Sequence, residues 1–175
     1  MQPMLLTLPD ATTVLIRPIA PEDKPLLSAG LRQLSPETAF RRFLSPKTSF
    51  SAAELRYLTE VDQVDHIALM AVDARFGGPI GVARCVRVAP DTAELAIVIG
   101  DPWQRMGLGR TLIGELADRA AAHGIERFSG TMMATNRGAV RLLRGFGSHV
   151  ESDVIAGGVR EIVVPFPTKV CVPAA

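Results

Sequence analysis

Three short apolar runs separated by tight turns constrain this chain more than anything else in it. They are Ile67 to Val72, Ile80 to Val88 and Ala93 to Ile99, joined through Gly77-Gly78-Pro79 and then Ala89-Pro90-Asp91. Turns this short force neighbours to run antiparallel, so the three runs are read as a meander. The chain then changes character. After the third run comes Gln104-Arg105-Met106-Gly107-Leu108-Gly109, and Leu108, Leu112, Leu116 and Ala120 recur at helical spacing up to a stop at His123-Gly124. Gly107 and Gly109 lack the Cβ atoms that would hold an approaching group away from the backbone. The first N–H groups of the following helix have no partner of their own and point outward with the positive end of the helix dipole, which suits a pyrophosphate. Arg105 and Arg110 are placed to add charge-assisted contacts. Two glycines can equally do no more than shape a strand-to-helix turn.

The remaining elements follow from turn and cap chemistry. Thr12 to Ile16 is a β-branched run ending at Arg17-Pro18, a first strand. Pro21-Glu22-Asp23 opens a helix with a stripe at Leu26, Leu27, Leu31 and Leu34, and Ser35-Pro36-Glu37 opens the next. Ser51-Ala-Ala-Glu54 is a capping box with Leu55 and Leu58 on the buried side. Beyond the glycine turn, a strand is predicted near Arg127 to Met132 and a helix from Asn136 to Gly145-Phe146-Gly147. A last hairpin is predicted from Ser148 to Ile155 and Val159 to Val164, turned at Gly157-Gly158. The pattern is that of an α+β domain with one mixed, mostly antiparallel sheet and helices on both faces. A chain of 175 residues fits one domain, 1–175, with no linker-like stretch inside it.

Bulk properties exclude more than they assign. A net charge of +1 does not call for nucleic acid, and no apolar run reaches the ~20 residues of a membrane span. The first eight residues carry no base and make a poor signal peptide, and the two cysteines, Cys85 and Cys171, suit a reduced, cytoplasmic setting. Cys85, mid-strand among Val82, Ala83 and Val86, is read as buried packing and not as an acyl-carrying nucleophile. His66, His123 and His149 are too dispersed for a metal site. Charge distribution is more informative than its sum. Arginines 105, 110, 119, 127, 137, 141 and 144 gather in one half, while Glu60, Asp62 and Asp65 lie in a stretch without Lys or Arg from Tyr57 to Ala74. The first pattern suits an anionic ligand and the second a cationic amine, although ordinary solvated surface explains both equally well.

Two nucleotide signatures fail at the glycine turn. A dinucleotide fingerprint needs a third glycine where this chain has Leu112, and a P-loop needs a lysine where it has Arg110. The run from Glu94 through Gly109 instead resembles the acetyl-CoA-binding motif of the GNAT N-acetyltransferase superfamily, Q/R-x-x-G-x-G/A after a strand. Ile16-Arg17-Pro18 with Pro21-Glu22-Asp23, and Asn136-Arg137-Gly138-Ala139 through Gly147, are similar to other parts of such domains in the same order. Leu34 to Phe43 and Leu58 to His66 more narrowly resemble the GNAT domains of bacterial protein lysine acetyltransferases.

The resemblance implies acetyl-CoA as co-substrate, no metal, and an amine acceptor, foremost a protein lysine. It implies that the backbone of Ile97, Val98 and Ile99 holds the pantetheine arm. The amides of Gln104, Arg105, Met106, Gly107, Leu108, Gly109 and Arg110 would receive the pyrophosphate, and Asn136 would meet the cofactor from the other side. Asn is also among the best helix N-caps, and that alternative stands beside the cofactor role. Transfer to an amine of pKa ~10.4 needs a group to take its proton. Glu94, the only carboxylate from Ala93 to Ile99, shares a strand face with Ala96 and Val98 and is the candidate base, with a pKa expected to be raised by apolar neighbours. The alternatives are a solvent-facing glutamate, or one paired with Arg84 or Arg87. Many superfamily members carry a tyrosine seven residues after the asparagine to protonate the leaving thiolate. Here that position is Leu143, and no general acid is assigned. A small-amine acetyltransferase and an acyl-CoA-binding sensor with little catalysis are the competing readings, and the assembly is expected to be a monomer or a homodimer.

Overall fold

The computed structural model describes residues 3–167, so Cys171 lies outside the described residues. The meander forms as expected: β3 (His66–Asp73), β4 (Pro79–Ala89) and β5 (Thr92–Ile99) pair antiparallel in sequence order. On its outer side β2 (Thr13–Pro18) adds to β3, and a strand the pattern did not reveal, β1 (Met4–Thr7), adds to β2. The other half contains α4 (Leu108–Ala121), β6 (Arg127–Met133), α5 (Arg137–Phe146) and the hairpin β7 (Ser152–Ala156)–β8 (Val159–Pro165). Gly157 and Gly158 take φ of +57° and +79°, the left-handed pair that a two-residue hairpin turn requires. β7 begins four residues later than expected, and just ahead of it Glu151 also donates its N–H to the carbonyl of Val163, the residue Ser152 faces. The sheet order is β1-β2-β3-β4-β5-β6-β8-β7.

Every neighbouring pair is antiparallel except β5 with β6, which run parallel and match only at Thr92–Arg127, Ala93–Phe128 and Glu94–Ser129. Beyond Glu94 the two strands diverge, and one side of the β5 backbone from Ala96 to Ile99 has no strand partner. This seam is where the fold opens.

Helices cover both faces. α4 and α5 press Leu108, Leu112, Ile113, Leu116 and Leu143 against Leu69, Ala83, Cys85, Leu95 and Phe128 in the main core. On the opposite face α1 (Lys24–Gln33) and α3 (Ala52–Thr59) meet a smaller core of Ile19, Leu27, Ala68, Met70 and Val72, while α2 (Pro36–Phe43) lies against β5 and β6. Ser51 and Glu54 form the expected reciprocal capping box, at 3.2 and 2.7 Å. Pro21–Asp23 is a 3-10 turn ahead of α1. Burial alone would raise the Asp23 carboxyl, but the two-pronged Arg17 contact (2.6 and 2.7 Å) and the Ala20 amide hold it below its ordinary value. The Arg17-Pro18 to Asp23 stretch is thus a clamp that sets the entry of α1.

Candidate active site

The divergence of β5 from β6 leaves a groove of about 450 Å3 that runs from the middle of the sheet to the N-terminus of α4. Along it lie Ile97, Val98, Ile99, Gln104, Arg105, Gly107, Gly109, Arg110 and Asn136, nearly the whole set named from sequence. Met106 and Leu108, the two expected cofactor contacts that do not line it, turn inward: Leu108 is fully buried, and Met106 rests against the main core. Their inward side chains anchor the turn from below and leave its amides outward.

The turn is built for close approach. Arg105 and Gly107 have φ of +61° and +89°, which curl the chain so that successive N–H groups face one side. Among the described residues no main-chain acceptor takes the amides from Arg105 to Gly109, the first turn of α4 included. A Cβ on Gly109 would come within 3.3 Å of both Leu142 and Ile99, so glycine lets α4 and α5 close on the end of β5 without displacing those side chains. The Gln104 side-chain amide donates to the Ile99 carbonyl at 3.0 Å and to Thr38 Oγ1 at 3.3 Å. Thr38 and Ser35 in turn donate to Asp101, at 2.6 to 2.9 Å. The first turn of α2 is therefore fastened to the glycine turn. Arg105, Arg110 and Arg141 line the groove, whereas Arg119, Arg127 and Arg144 of the same basic region are spent on Glu115, Asp91, Glu151 and Asp153.

Glu94 stands at the inner end, where the strands part, in a recess that also takes in Arg42, Thr131 and Asn136. It is exposed, so the apolar enclosure expected from its neighbours in sequence is absent. Glu94 lies on the strand face opposite the buried Ala93 and Leu95, and α2 contributes Arg41 and Arg42 to the recess beside it. Neither Arg84 nor Arg87 is its partner: Arg87 pairs with Asp65 at 2.6 Å and Arg84 meets His66. Asn136 is an N-cap, its Oδ1 accepting the Ala139 N–H at 3.1 Å, and it still borders the groove.

Several sequence signals resolve into structure. The acids Glu60 and Asp65 are ion-paired with Lys24 and Arg87, and Asp62 accepts three N–H groups of its own loop, so none of the three is a free lure for an amine. His66 forms no dyad with Asp65. Burial first, and then the Arg84 charge, push its pKa down to about 4. Cys85 is fully buried, its thiol pushed up to about 12 by burial, which keeps it inert. Leu143 is buried in the main core against Gly130, so the place where a hydroxyl was sought holds packing. Ser148 and His149 touch each other at an exposed position away from the groove. Among the described residues there is no cluster that could hold a metal, and no helix is long and apolar enough to cross a membrane. Arg84, weighed from sequence only as a partner for Glu94, is buried and lines a cavity together with the half-buried Arg42, a combination not foreseen from sequence. A basic residue at an inward position of an apolar strand was the available signal for Arg84.

A mixed sheet parted at one parallel seam, with an amide-lined glycine turn at the end of the groove, defines an acyltransferase architecture. Residues 36–147 match the Acetyltransferase (GNAT) family, and the chain belongs to it. It is 31% identical over 152 residues to Acetyltransferase Pat of Mycolicibacterium smegmatis, covering 86% of this chain and 45% of that protein. The chain thus spans less than half the length of that relative. It is also 31% identical over 134 residues to Acetyltransferase PA5475 of Pseudomonas aeruginosa, covering 75% of this chain and 72% of the relative. The crystal structure of the GNAT domain of S. lividans PAT superposes with a TM-score of 0.84 at 24% identity, covering 94% and 97% of the two chains, which establishes the shared fold.

Proposed function

We propose that this chain moves an acetyl group from acetyl-CoA directly to an amine, the acceptor being a protein lysine side chain, with Glu94 as general base. The observation that carries the reading is the seam itself. One groove joins an unpaired strand edge, an outward-facing amide turn and a carboxylate at the point where the strands part. The resemblance of Leu34 to Phe43 and Leu58 to His66 to bacterial protein lysine acetyltransferases supports the acceptor.

The residues divide the work as follows. The amides from Arg105 to Gly109, with Arg105 and Arg110 beside them, hold the pyrophosphate through backbone N–H groups and two cations. The free edge of Ile97 to Ile99 offers main-chain donors and acceptors to an extended amide-bearing arm, as a neighbouring strand would. Acetyl-CoA supplies the acetyl group and carries the departing electron pair away on sulfur. A lysine amine is neutral in only about one molecule in 10³ at pH 7, so Glu94 takes its proton, directly or through water. The C–N bond then forms as the C–S bond breaks. With Leu143 at the usual hydroxyl position, the sulfur leaves as a thiolate, tolerable for a thiol of pKa ~8.5.

Leu143 is also the observation that favours a second reading, an acyl-CoA-binding module with little turnover. Calorimetric titration with acetyl-CoA and free CoA, followed by single-turnover transfer to lysine peptides and to small amines, separates the possibilities. Glu94→Gln is expected to lower the transfer rate by about 10²–10⁴-fold while leaving acetyl-CoA affinity unchanged. Binding without turnover in the unaltered chain establishes the module. Absence of binding removes both readings.

A further inference from the structure

Arg84 projects from β4 onto the sheet face opposite α4 and is 5% exposed. Its Nη1 lies 3.1 Å from His66 Nε2, and its Nη2 donates to the Leu58 carbonyl at 3.2 Å; both partners are uncharged near neutral pH. Arg42, near the end of α2, is half-buried with its guanidinium over the Phe43 ring, and its charge adds to burial in pulling Arg84 down to about 10. Neither forms an ion pair with a carboxylate among the described residues. Glu94 acts on Arg42 only from a distance. Burying one unpaired cation is costly, and placing two together is more so, unless an anion is meant to join them.

Both arginines line a cavity of about 370 Å3 whose other walls are apolar, among them Leu27, Leu31, Phe50 and Trp103. That volume falls within the ~300–1,000 Å3 of small-molecule sites, which are typically apolar with a few convergent polar groups. Val98 and Arg42 border this cavity and the transfer groove alike, so its occupant would lie across β5 from the acetyl donor.

We propose that this cavity is a binding site for a small apolar carboxylate, its carboxylate bridging Arg42 and Arg84 and its hydrocarbon stem resting against Leu27, Leu31 and Phe50. The charge selects an anion, the walls select hydrocarbon, and no step of acetyl transfer draws on either guanidinium. The ligand is either a free carboxylic acid or the carboxylate end of an apolar amino acid whose amine is directed past Val98 toward the transfer groove.

Calorimetry of the full chain with octanoate, 1-octanol and octylamine tests the site. Octanoate is expected to bind at least about tenfold more tightly than octanol, and octylamine not at all, because only the carboxylate can satisfy the buried charges. Arg84→Met, with folding confirmed by its melting curve and by retained acetyl-CoA binding, is expected to lose at least about tenfold of the octanoate affinity. If that variant does not fold, Arg42→Met takes its place. Equal binding of octanol and octanoate, no octanoate binding, or undiminished binding by a folded variant overturns the proposal. A parallel incubation with acetyl-CoA and L-phenylalanine, read by mass, distinguishes the sources. Formation of the N-acetyl product assigns the carboxylate to the acceptor, and octanoate binding without that product assigns it to a free acid. Octanoate binding does not depend on transfer, so the site stands or falls apart from the catalytic reading.

Discussion

The two faces of one sheet are built to different ends. Under α4 and α5, the side chains of β3 to β6 meet Leu108, Leu112, Ile113, Leu116 and Phe146 with no buried charge among them. Across the same strands, a residue's thickness away, the face under α1 and α3 holds a small core, one buried and one half-buried arginine, a neutral histidine and a cavity. Close packing on the first face stabilises the sheet and fixes the position of the glycine turn through Leu108 and Gly109. The looser, charged face gives up some of that stability for room beside β5. Within one strand, alternate residues therefore serve different purposes: Leu95 is packed into the core, and Glu94 is left exposed where the seam opens.

That contrast can be broken most severely by truncation on the packed side. Phe128→Ala, at a fully buried ring facing Phe146 and Phe166, is expected to lose about 3–5 kcal/mol in denaturant unfolding, whereas Leu27→Ala, beside existing empty space, should lose about 2 kcal/mol. Equal losses would mean that the two faces are equally packed. Asn136→Ala removes the α5 cap and should cost about 1 kcal/mol in the same experiment. Less than about a threefold change in acetyl-CoA affinity would leave Asn136 a cap alone, and a loss of about tenfold would give it a role on the cofactor as well. The last effect is on pH. His66 takes a proton at about 4 in the folded chain and at its ordinary value of 6.5 when unfolded. The unfolded chain therefore binds more protons between those values, and stability falls as pH drops through that window. His66→Gln should flatten this part of the stability profile, and an unaltered slope would place the effect elsewhere.

Much of this was legible before any coordinates. Ser51 with Glu54, Gly157 with Gly158 and the meander turns act within a few residues, so local chemistry decides them. The groove residues from Ile97 to Gly109 were legible for the same reason, being one continuous strand–turn–helix passage. What was not legible depends on distant elements. β1 is a four-residue edge strand whose apolar pattern is too short to distinguish from a tail. The exposure of Glu94 depends on what α2 brings beside it, and the pairing of Arg42 with Arg84 joins residues 42 positions apart in the chain. The acids at 60, 62 and 65 looked available because their partners Lys24 and Arg87, and the loop amides taken by Asp62, are set by tertiary contact and loop closure.

The half of β5 that lacks a neighbour is an edge placed inside a sheet. Outer edges invite other chains to add strands, and proteins that expose long ones risk aggregation. Here the side of β5 from Ile97 to Ile99 that has no strand partner lies between α5 and the fastened start of α2, with the Ile99 carbonyl taken by the Gln104 side chain, and opens into the groove. A slender, nearly side-chain-free arm with amides at strand-like spacing can enter it. On the proposed reading, the stickiness of an unpaired strand is thereby put to use on a small molecule.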